Sequence, residues 1–200
     1  CPPGASAELP CLAGSYSSVP GLAHADHCTV CPMGSACAAG STAPTPCAPG
    51  TVTAIESQSA CSPCRGGEYQ EQSGATACEA CTPGYYCAEG SAAPLPCPGG
   101  THMNLTLAVM TTVDDCVICP VGTFCSVGSA EPSDCAPGTF NDQLNASTCE
   151  NCAAGSFQAV ARSTACEVCT SGYHCAEGSA APLPCPGGTH KDASLSVMTS

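Results

Sequence analysis

The chain has 200 residues, of which 22 are cysteine, 21 glycine and 19 proline, and its formal net charge is −13 with only three Lys or Arg residues. Leu, Ile, Val and Phe together number 25, too few for an ordinary globular core to offset the conformational entropy of the chain. The high cysteine content instead predicts a disulfide scaffold in an oxidising compartment, hence an extracellular protein, either secreted or on a cell surface.

An internal repeat organises the chain from its start to its end. The segment CAEGSAAPLPCPGGTH occurs at residues 87–102 and again at 175–190, which gives a period of 88 residues. Within that period, half-units open with C-x2-C-x5-C-x9-C, and the long half-units carry an additional C-x2-C. In chain order this spacing predicts the C-terminal part of a repeat unit (1–27), a long half-unit (28–77), a short half-unit (78–115), a long half-unit (116–165) and an incomplete short half-unit (166–200).

Each cysteine is followed three residues later by glycine or by another cysteine. A C-x-x-G segment predicts a tight turn whose glycine adopts a positive φ. An aromatic or β-branched residue often stands two positions after the glycine, as at Tyr16, Tyr69 and Phe124, and predicts a short strand. The sequence therefore predicts small disulfide-rich modules forming an elongated rod of short β-hairpins and loops, with little regular secondary structure and no helix of note.

Two disulfide schemes fit the period, because spacing alone does not fix connectivity. We favour pairing between neighbours, since each C-x13-C loop contains a self-contained hairpin pattern. This scheme leaves Cys1 and Cys185 without a partner in this sequence. We expect their partners outside it, in a longer array. The interleaved alternative joins Cys1–Cys28, Cys81–Cys97, Cys87–Cys116, Cys119–Cys135 and Cys125–Cys149. The neighbouring pairs are Cys11–Cys28, Cys31–Cys37, Cys47–Cys61, Cys64–Cys78, Cys81–Cys87, Cys97–Cys116, Cys119–Cys125, Cys135–Cys149, Cys152–Cys166 and Cys169–Cys175.

The segment CAPGTFNDQLNASTCENCAAGSFQAVARSTACEVC resembles the cysteine-rich repeats called ephrin-receptor-like and, more distantly, the first loop of tumour-necrosis-factor-receptor modules. The shared elements are C-x-P-G-T-[FY] and a C-x2-C that follows the loop, and tandem copies cover nearly the whole chain. This resemblance implies an extended, secreted, disulfide-stapled rod, as in large surface proteins of algae and other protists. Receptor kinase and ligand-binding domains have no counterpart in these residues.

Zinc is the main chemical alternative to disulfides. The segments Cys61-x2-Cys64-x13-Cys78-x2-Cys81 and Cys149-x2-Cys152-x13-Cys166-x2-Cys169 have nearly the spacing of a zinc ribbon. The expected oxidising compartment disfavours this arrangement. The five histidines form no Ser-His-Asp or Cys-His constellation, so we expect no enzyme and no cofactor.

Two N-glycosylation sequons lie in predicted loops, at Asn104-Leu-Thr106 and Asn145-Ala-Ser147. The segment LTLAVMTTV at residues 105–113 predicts a strand, because Leu105, Leu107, Val109 and Val113 alternate onto one face. Such a strand either covers its own disulfides or pairs with a neighbouring molecule. A related segment, SLSVM, stands at residues 194–198.

These features predict a structural repeat segment of a secreted, glycosylated filament, flagellar-hair-like fibre or surface coat. The expected partners are copies of the chain itself, other filament subunits and glycans. The negative charge disfavours nucleic acid, and we expect no direct membrane insertion. The alternatives are a ligand-binding or stalk ectodomain of a cell-surface receptor or adhesin and, third, a zinc-binding cysteine array.

Overall fold

The structure, a computed structural model, describes residues 10–20, 22 and 24–185. These residues belong to two compact units. One contains the described residues up to Thr82 together with Tyr86–Leu95 and Ala108–Thr112. The other contains Pro83–Tyr85, Pro96–Leu107 and the described residues from Val113 onward. The half-unit boundaries derived from the period of the sequence stay a prediction.

Ten antiparallel hairpins, each of two strands with two residues, form the regular structure of the described residues. The first strand of each hairpin follows a turn glycine directly, and the second strand ends immediately before a cysteine. The first strands are β1 (Ser15–Tyr16), β3 (Ser35–Ala36), β5 (Thr51–Val52), β7 (Glu68–Tyr69), β9 (Tyr85–Tyr86), β11 (Thr101–His102), β13 (Thr123–Phe124), β15 (Thr139–Phe140), β17 (Ser156–Phe157) and β19 (Tyr173–His174). The second strands are β2 (Thr29–Val30), β4 (Thr45–Pro46), β6 (Ser62–Pro63), β8 (Glu79–Ala80), β10 (Leu95–Pro96), β12 (Val117–Ile118), β14 (Ser133–Asp134), β16 (Glu150–Asn151), β18 (Glu167–Val168) and β20 (Leu183–Pro184).

Nine of the hairpins, all except β9–β10, share one register. The first residue of the first strand faces the second residue of its partner strand, as Ser15 faces Val30 and Thr101 faces Ile118. The aromatic and β-branched residues that predicted strands occupy the second position of first strands, including Tyr16, Tyr69 and Phe124. The predicted repeat of small, disulfide-rich β-hairpins is therefore confirmed. We call each hairpin with its preceding cysteine and turn glycine a module.

The helical content of the described residues consists of two single turns of 3-10 helix, Ala25–His27 and Val113–Asp115. Each turn lies directly before a cysteine, and the cysteine N–H closes it by donating to the first carbonyl of the turn, at 3.0 Å for Cys28 and 3.1 Å for Cys116. Each turn lies in one of the two longest disulfide loops, Cys11–Cys28 and Cys97–Cys116, and accommodates additional residues of that loop.

The strand predicted at residues 105–113 is wrong. These residues form a turn and bends before the 3-10 turn, and Asn104 begins the reversal because its Oδ1 accepts the N–H of Thr106 at 3.0 Å. Met110 is 4% exposed, whereas Leu105, on the predicted apolar face, is 62% exposed. The backbone at Met110 is bonded to another module and not to a partner strand, since its carbonyl accepts the Cys87 N–H at 3.0 Å. The related segment at 194–198 lies outside the described residues.

Cystine sulfur forms most of the core. Among the described residues, the buried apolar side chains are Met110 and twelve cysteines: Cys11, Cys31, Cys37, Cys47, Cys64, Cys87, Cys97, Cys119, Cys125, Cys135, Cys152 and Cys175. Cross-links thus take the position that Leu, Ile and Phe occupy in larger domains, because a small domain buries too little apolar surface to fold without such staples.

Candidate functional site at the module junctions

Ten disulfides join neighbouring cysteines along the chain. Cys87, which separates the two schemes, is bonded to Cys81 and not to Cys116, so the structure has the neighbour pairing. Cys185 is a free thiol in the structure, and Cys1 lies outside the described residues. The bridges are Cys11–Cys28, Cys31–Cys37, Cys47–Cys61, Cys64–Cys78, Cys81–Cys87, Cys97–Cys116, Cys119–Cys125, Cys135–Cys149, Cys152–Cys166 and Cys169–Cys175.

The turn glycine of one module is the centre of contacts to the next two modules. Gly138, with φ of 88°, illustrates the arrangement. Its N–H donates to the carbonyl of Gln158 at 2.7 Å, and its own carbonyl accepts the N–H of Cys152 at 2.9 Å. A Cβ atom on Gly138 would overlap the carbonyl oxygen of Gly178, which lies two hairpins further along the chain. Glycine is therefore required for both the turn and the close approach.

The same close approach recurs within each compact unit. A turn glycine faces the backbone carbonyl of a second turn two modules later in the pairs Gly14–Ser57, Gly34–Gly74, Gly50–Gly90, Gly84–Gly128, Gly100–Asn145, Gly122–Arg162 and Gly138–Gly178. At Gly67 the side chain of Val109 takes this place instead. We call this contact the glycine junction.

Where a backbone carbonyl covers the turn glycine, the covering residue also has a positive φ and anchors the preceding module. The N–H of Gly178 donates to the carbonyl of Cys152 at 2.8 Å, and that of Arg162 donates to Cys135 at 2.8 Å. Three of the covering residues are not glycine: Ser57, Asn145 and Arg162, with φ between 61° and 64°. Sequence analysis missed them, although Gly74 stands one 88-residue period before Arg162 and was a signal for this conformation.

Buried amides complete the C-x13-C loops, and sequence analysis also missed them. Gln158 is 7% exposed; its Nε2 donates to the Ala165 carbonyl at 2.7 Å, and its Oε1 accepts the Val160 N–H at 2.9 Å. Gln70 makes the equivalent bonds one period earlier. The side chains of these glutamines supply hydrogen-bond partners to backbone groups of an irregular loop, because the loop has no neighbouring strand to bond to. The 88-residue spacing of two glutamines was the available signal.

The cysteines with zinc-ribbon spacing are divided among separate disulfides. Cys61, Cys64 and Cys78 belong to the bridges Cys47–Cys61 and Cys64–Cys78, and a disulfide sulfur cannot ligate zinc as a thiolate. Within residues 10–20, 22 and 24–185, no cluster of three or more His, Cys, Asp or Glu is arranged to hold a metal ion. The same residues include no helix of the length and apolarity needed to cross a bilayer.

None of the acidic side chains among the described residues is buried. Tyr69 Oη donates to Glu79 Oε2 at 3.2 Å across the β7–β8 hairpin. Partial desolvation, followed by this hydrogen bond and the charges of Glu79 and Glu71, raises the pKa of Tyr69 above its ordinary value. Arg162 forms an exposed ion pair with Asp134 at 3.8 Å.

The two sequons differ in local structure. Asn104 is half-buried, and its Oδ1 accepts both the N–H and the hydroxyl of Thr106, the latter at 2.7 Å. Asn145 is exposed and belongs to a glycine junction, where its N–H donates to the Cys119 carbonyl at 3.0 Å. The acceptor asparagines thus lie in a turned loop and at a module junction.

A scan against protein-family models found no matching family. A search of curated proteins found no match.

Proposed function

We propose that this chain is a structural repeat segment of a secreted, glycosylated extracellular filament, flagellar-hair-like fibre or surface coat. The observation that carries the proposal is the glycine junction, which recurs within each compact unit. A module buries little besides its cystine, and its turn is completed by the modules that follow. Repeats of this kind are stabilised mainly by their neighbours and are suited to extended assemblies.

The extensive disulfide bonding fits an oxidising, extracellular location. The ephrin-receptor-like resemblance supports the same proposal, as does the scattering of acidic residues over a surface with net charge −13. Glycans at Asn104 and Asn145 would add bulk and solubility to such a surface.

The proposal is tested on native extracellular fibres. We expect antibodies against the loop around Val160, which is 65% exposed and lies in neither sequon, to label isolated fibres along their length in electron microscopy. Mass spectrometry of the same fibres should recover the tryptic peptides of this chain. Labelling confined to the medium or to cell bodies, with no peptide in washed fibres, would contradict the proposal.

A further inference from the structure

The backbone of the second sequon is hydrogen-bonded to the module that precedes it. The N–H of Asn145 donates to the Cys119 carbonyl at 3.0 Å. The carbonyl of Ala146 accepts the N–H of Cys125, also at 3.0 Å. Cys119 and Cys125 are joined by a disulfide, so the peptide groups of this sequon are held against a cross-linked neighbour.

Two glycines of a still earlier module pack against the same sequon. A Cβ atom on Gly100 would overlap both the carbonyl oxygen and the Oδ1 atom of Asn145, so both oxygens lie against that turn. A Cβ atom on Gly99 would come within 3.3 Å of the Cβ atom of Ser147. The acceptor asparagine and the serine two positions later, which together define the sequon, are therefore both packed against a module two modules earlier in the chain.

The first sequon is folded into a turn of its own. The carbonyl of Asn104 accepts the N–H of Leu107 at 3.2 Å, in addition to the two bonds that its Oδ1 accepts from Thr106. These bonds close within four residues, and residues 105–107 are exposed. The Thr106 hydroxyl already lies 2.7 Å from the Asn104 side chain, so the two side chains that define this sequon stand together in the folded chain.

We propose that Asn145 accepts a glycan only before its loop docks on Gly99 and Gly100, so that folding competes with glycosylation there, whereas Asn104 remains an acceptor in the folded chain. This inference rests on the glycosylated character in the proposed function and adds the order of folding and glycosylation. The donor is a lipid-linked oligosaccharide diphosphate. Asparagine Nδ2 forms a bond to C1 of the first sugar and releases one proton, while the bond between C1 and the diphosphate oxygen breaks and the lipid diphosphate leaves with the electron pair.

The physical reason is the local opening that an enzyme requires. To engage Asn145 and Ser147 together, a glycosyltransferase must release the sequon from Cys119, Cys125 and the two glycines, and only the opened fraction of the chain can react. The loss of two backbone hydrogen bonds lowers that fraction by at least about tenfold. Asn145 is exposed, so a glycan attached before docking can extend into solvent.

The experiment compares two forms of the purified, unglycosylated 200-residue chain, one oxidised and one reduced and alkylated. Each form is incubated with solubilised oligosaccharyltransferase and a lipid-linked oligosaccharide, and glycopeptide mass spectrometry follows both asparagines over time. We expect Asn104 to be modified in both forms. Asn145 should be modified at least about tenfold more slowly in the oxidised form than in the reduced form.

A glycine variant tests whether the junction is the cause. Gly100→Ala places a Cβ atom where the Asn145 carbonyl lies, so it should speed modification of Asn145 in the oxidised chain. Gly14→Ala is the matched control, because Gly14 has nearly the same φ, 85° against 88°, and is covered in the same way by the Ser57 carbonyl in the other compact unit. Non-reducing peptide mapping checks that all ten disulfides have formed in each variant.

Equal rates at Asn145 in the oxidised and reduced chains would overturn the inference, as would an oxidised chain in which Asn104 is not modified. Gly100→Ala without effect, or Gly14→Ala with the same effect, would also overturn it. Modification of neither asparagine in the reduced chain would contradict the glycosylated character as well. The assay contains no fibres, so absence of the chain from native fibres would contradict the filament proposal and leave this inference intact.

Discussion

The carbonyl oxygen of Gly178 lies where the Cβ atom of any other residue at position 138 would have to stand. The two glycines belong to hairpins that are separated by one intervening hairpin, and both have positive φ, 88° at Gly138 and 72° at Gly178. The contact is one of backbone against backbone, so a side-chain rotation cannot relieve an overlap there. The turn at Gly138 and the packing between modules therefore both require a residue without a side chain at this position.

Replacing Gly138 by alanine should destabilise the chain more than the same change at Gly172. Both glycines have nearly the same φ, 88° and 87°, but no described heavy atom lies within 4 Å of a Cβ on Gly172. Gly172→Ala should cost about 1–2 kcal/mol for the left-handed backbone alone. Gly138→Ala adds the displacement of Gly178, and guanidinium unfolding without reductant measures both. Equal losses would contradict the glycine junction.

Replacing Arg162 by glycine should stabilise the chain. Arg162 has φ of 62°, a conformation unfavourable for a side chain, and Gly74 occupies the equivalent place one period earlier with φ of 75°. The free energy of unfolding should rise by less than about 1 kcal/mol. Glycine relieves the backbone strain, but it also loses more backbone entropy on folding, and this loss offsets part of the gain. Arg162→Ala is the matched control, since it removes the same exposed ion pair to Asp134 but keeps the backbone strain. A Gly variant no more stable than the Ala variant would contradict this prediction.

Replacing Gln158 by leucine should destabilise its loop by about 1–3 kcal/mol, the cost of leaving buried backbone groups without partners. The Ala165 carbonyl and the Val160 N–H lose their partner, although leucine restores the apolar volume. Gln143→Leu, at an exposed position, should have little effect. Amide hydrogen exchange at Val160 provides the local readout. Unchanged protection there in Gln158→Leu would contradict a structural role for the buried amide.

Chemical reduction should open the short disulfide loops in a defined order. Both cysteines of the Cys31–Cys37 and Cys119–Cys125 bridges are fully buried, whereas Cys81 and Cys169 in the other two short loops are half-buried. A reductant must reach a sulfur atom to attack it. Partial reduction with a phosphine, alkylation and peptide mapping should therefore label Cys81–Cys87 and Cys169–Cys175 first. Simultaneous labelling of all four bridges would mean that access does not control the order.

Local chemistry explains why much of the fold is predictable from the sequence. A C-x-x-G segment determines its own turn, and the residue two positions later determines a short strand, because these preferences act over a few residues. The neighbour pairing of cysteines was favoured for the same reason, since each disulfide closes a loop around its own hairpin pattern. Alternation was misleading at residues 105–113, where Met110 is buried and its carbonyl accepts the N–H of Cys87 in the preceding module.

The sequence by itself determined the cysteine period, the turn glycines, the short strands and the loops that disulfides close. Only the tertiary structure decided which residues cover those glycines and which amides are buried. Ser57, Asn145 and Arg162 share with Gly74 only their position, four residues before the cysteine that closes a C-x13-C loop, and not a residue type that prefers a left-handed backbone. Their conformation is set by the glycine that each of them meets two modules earlier in the chain. Such contacts arise from packing between modules, which no local preference encodes.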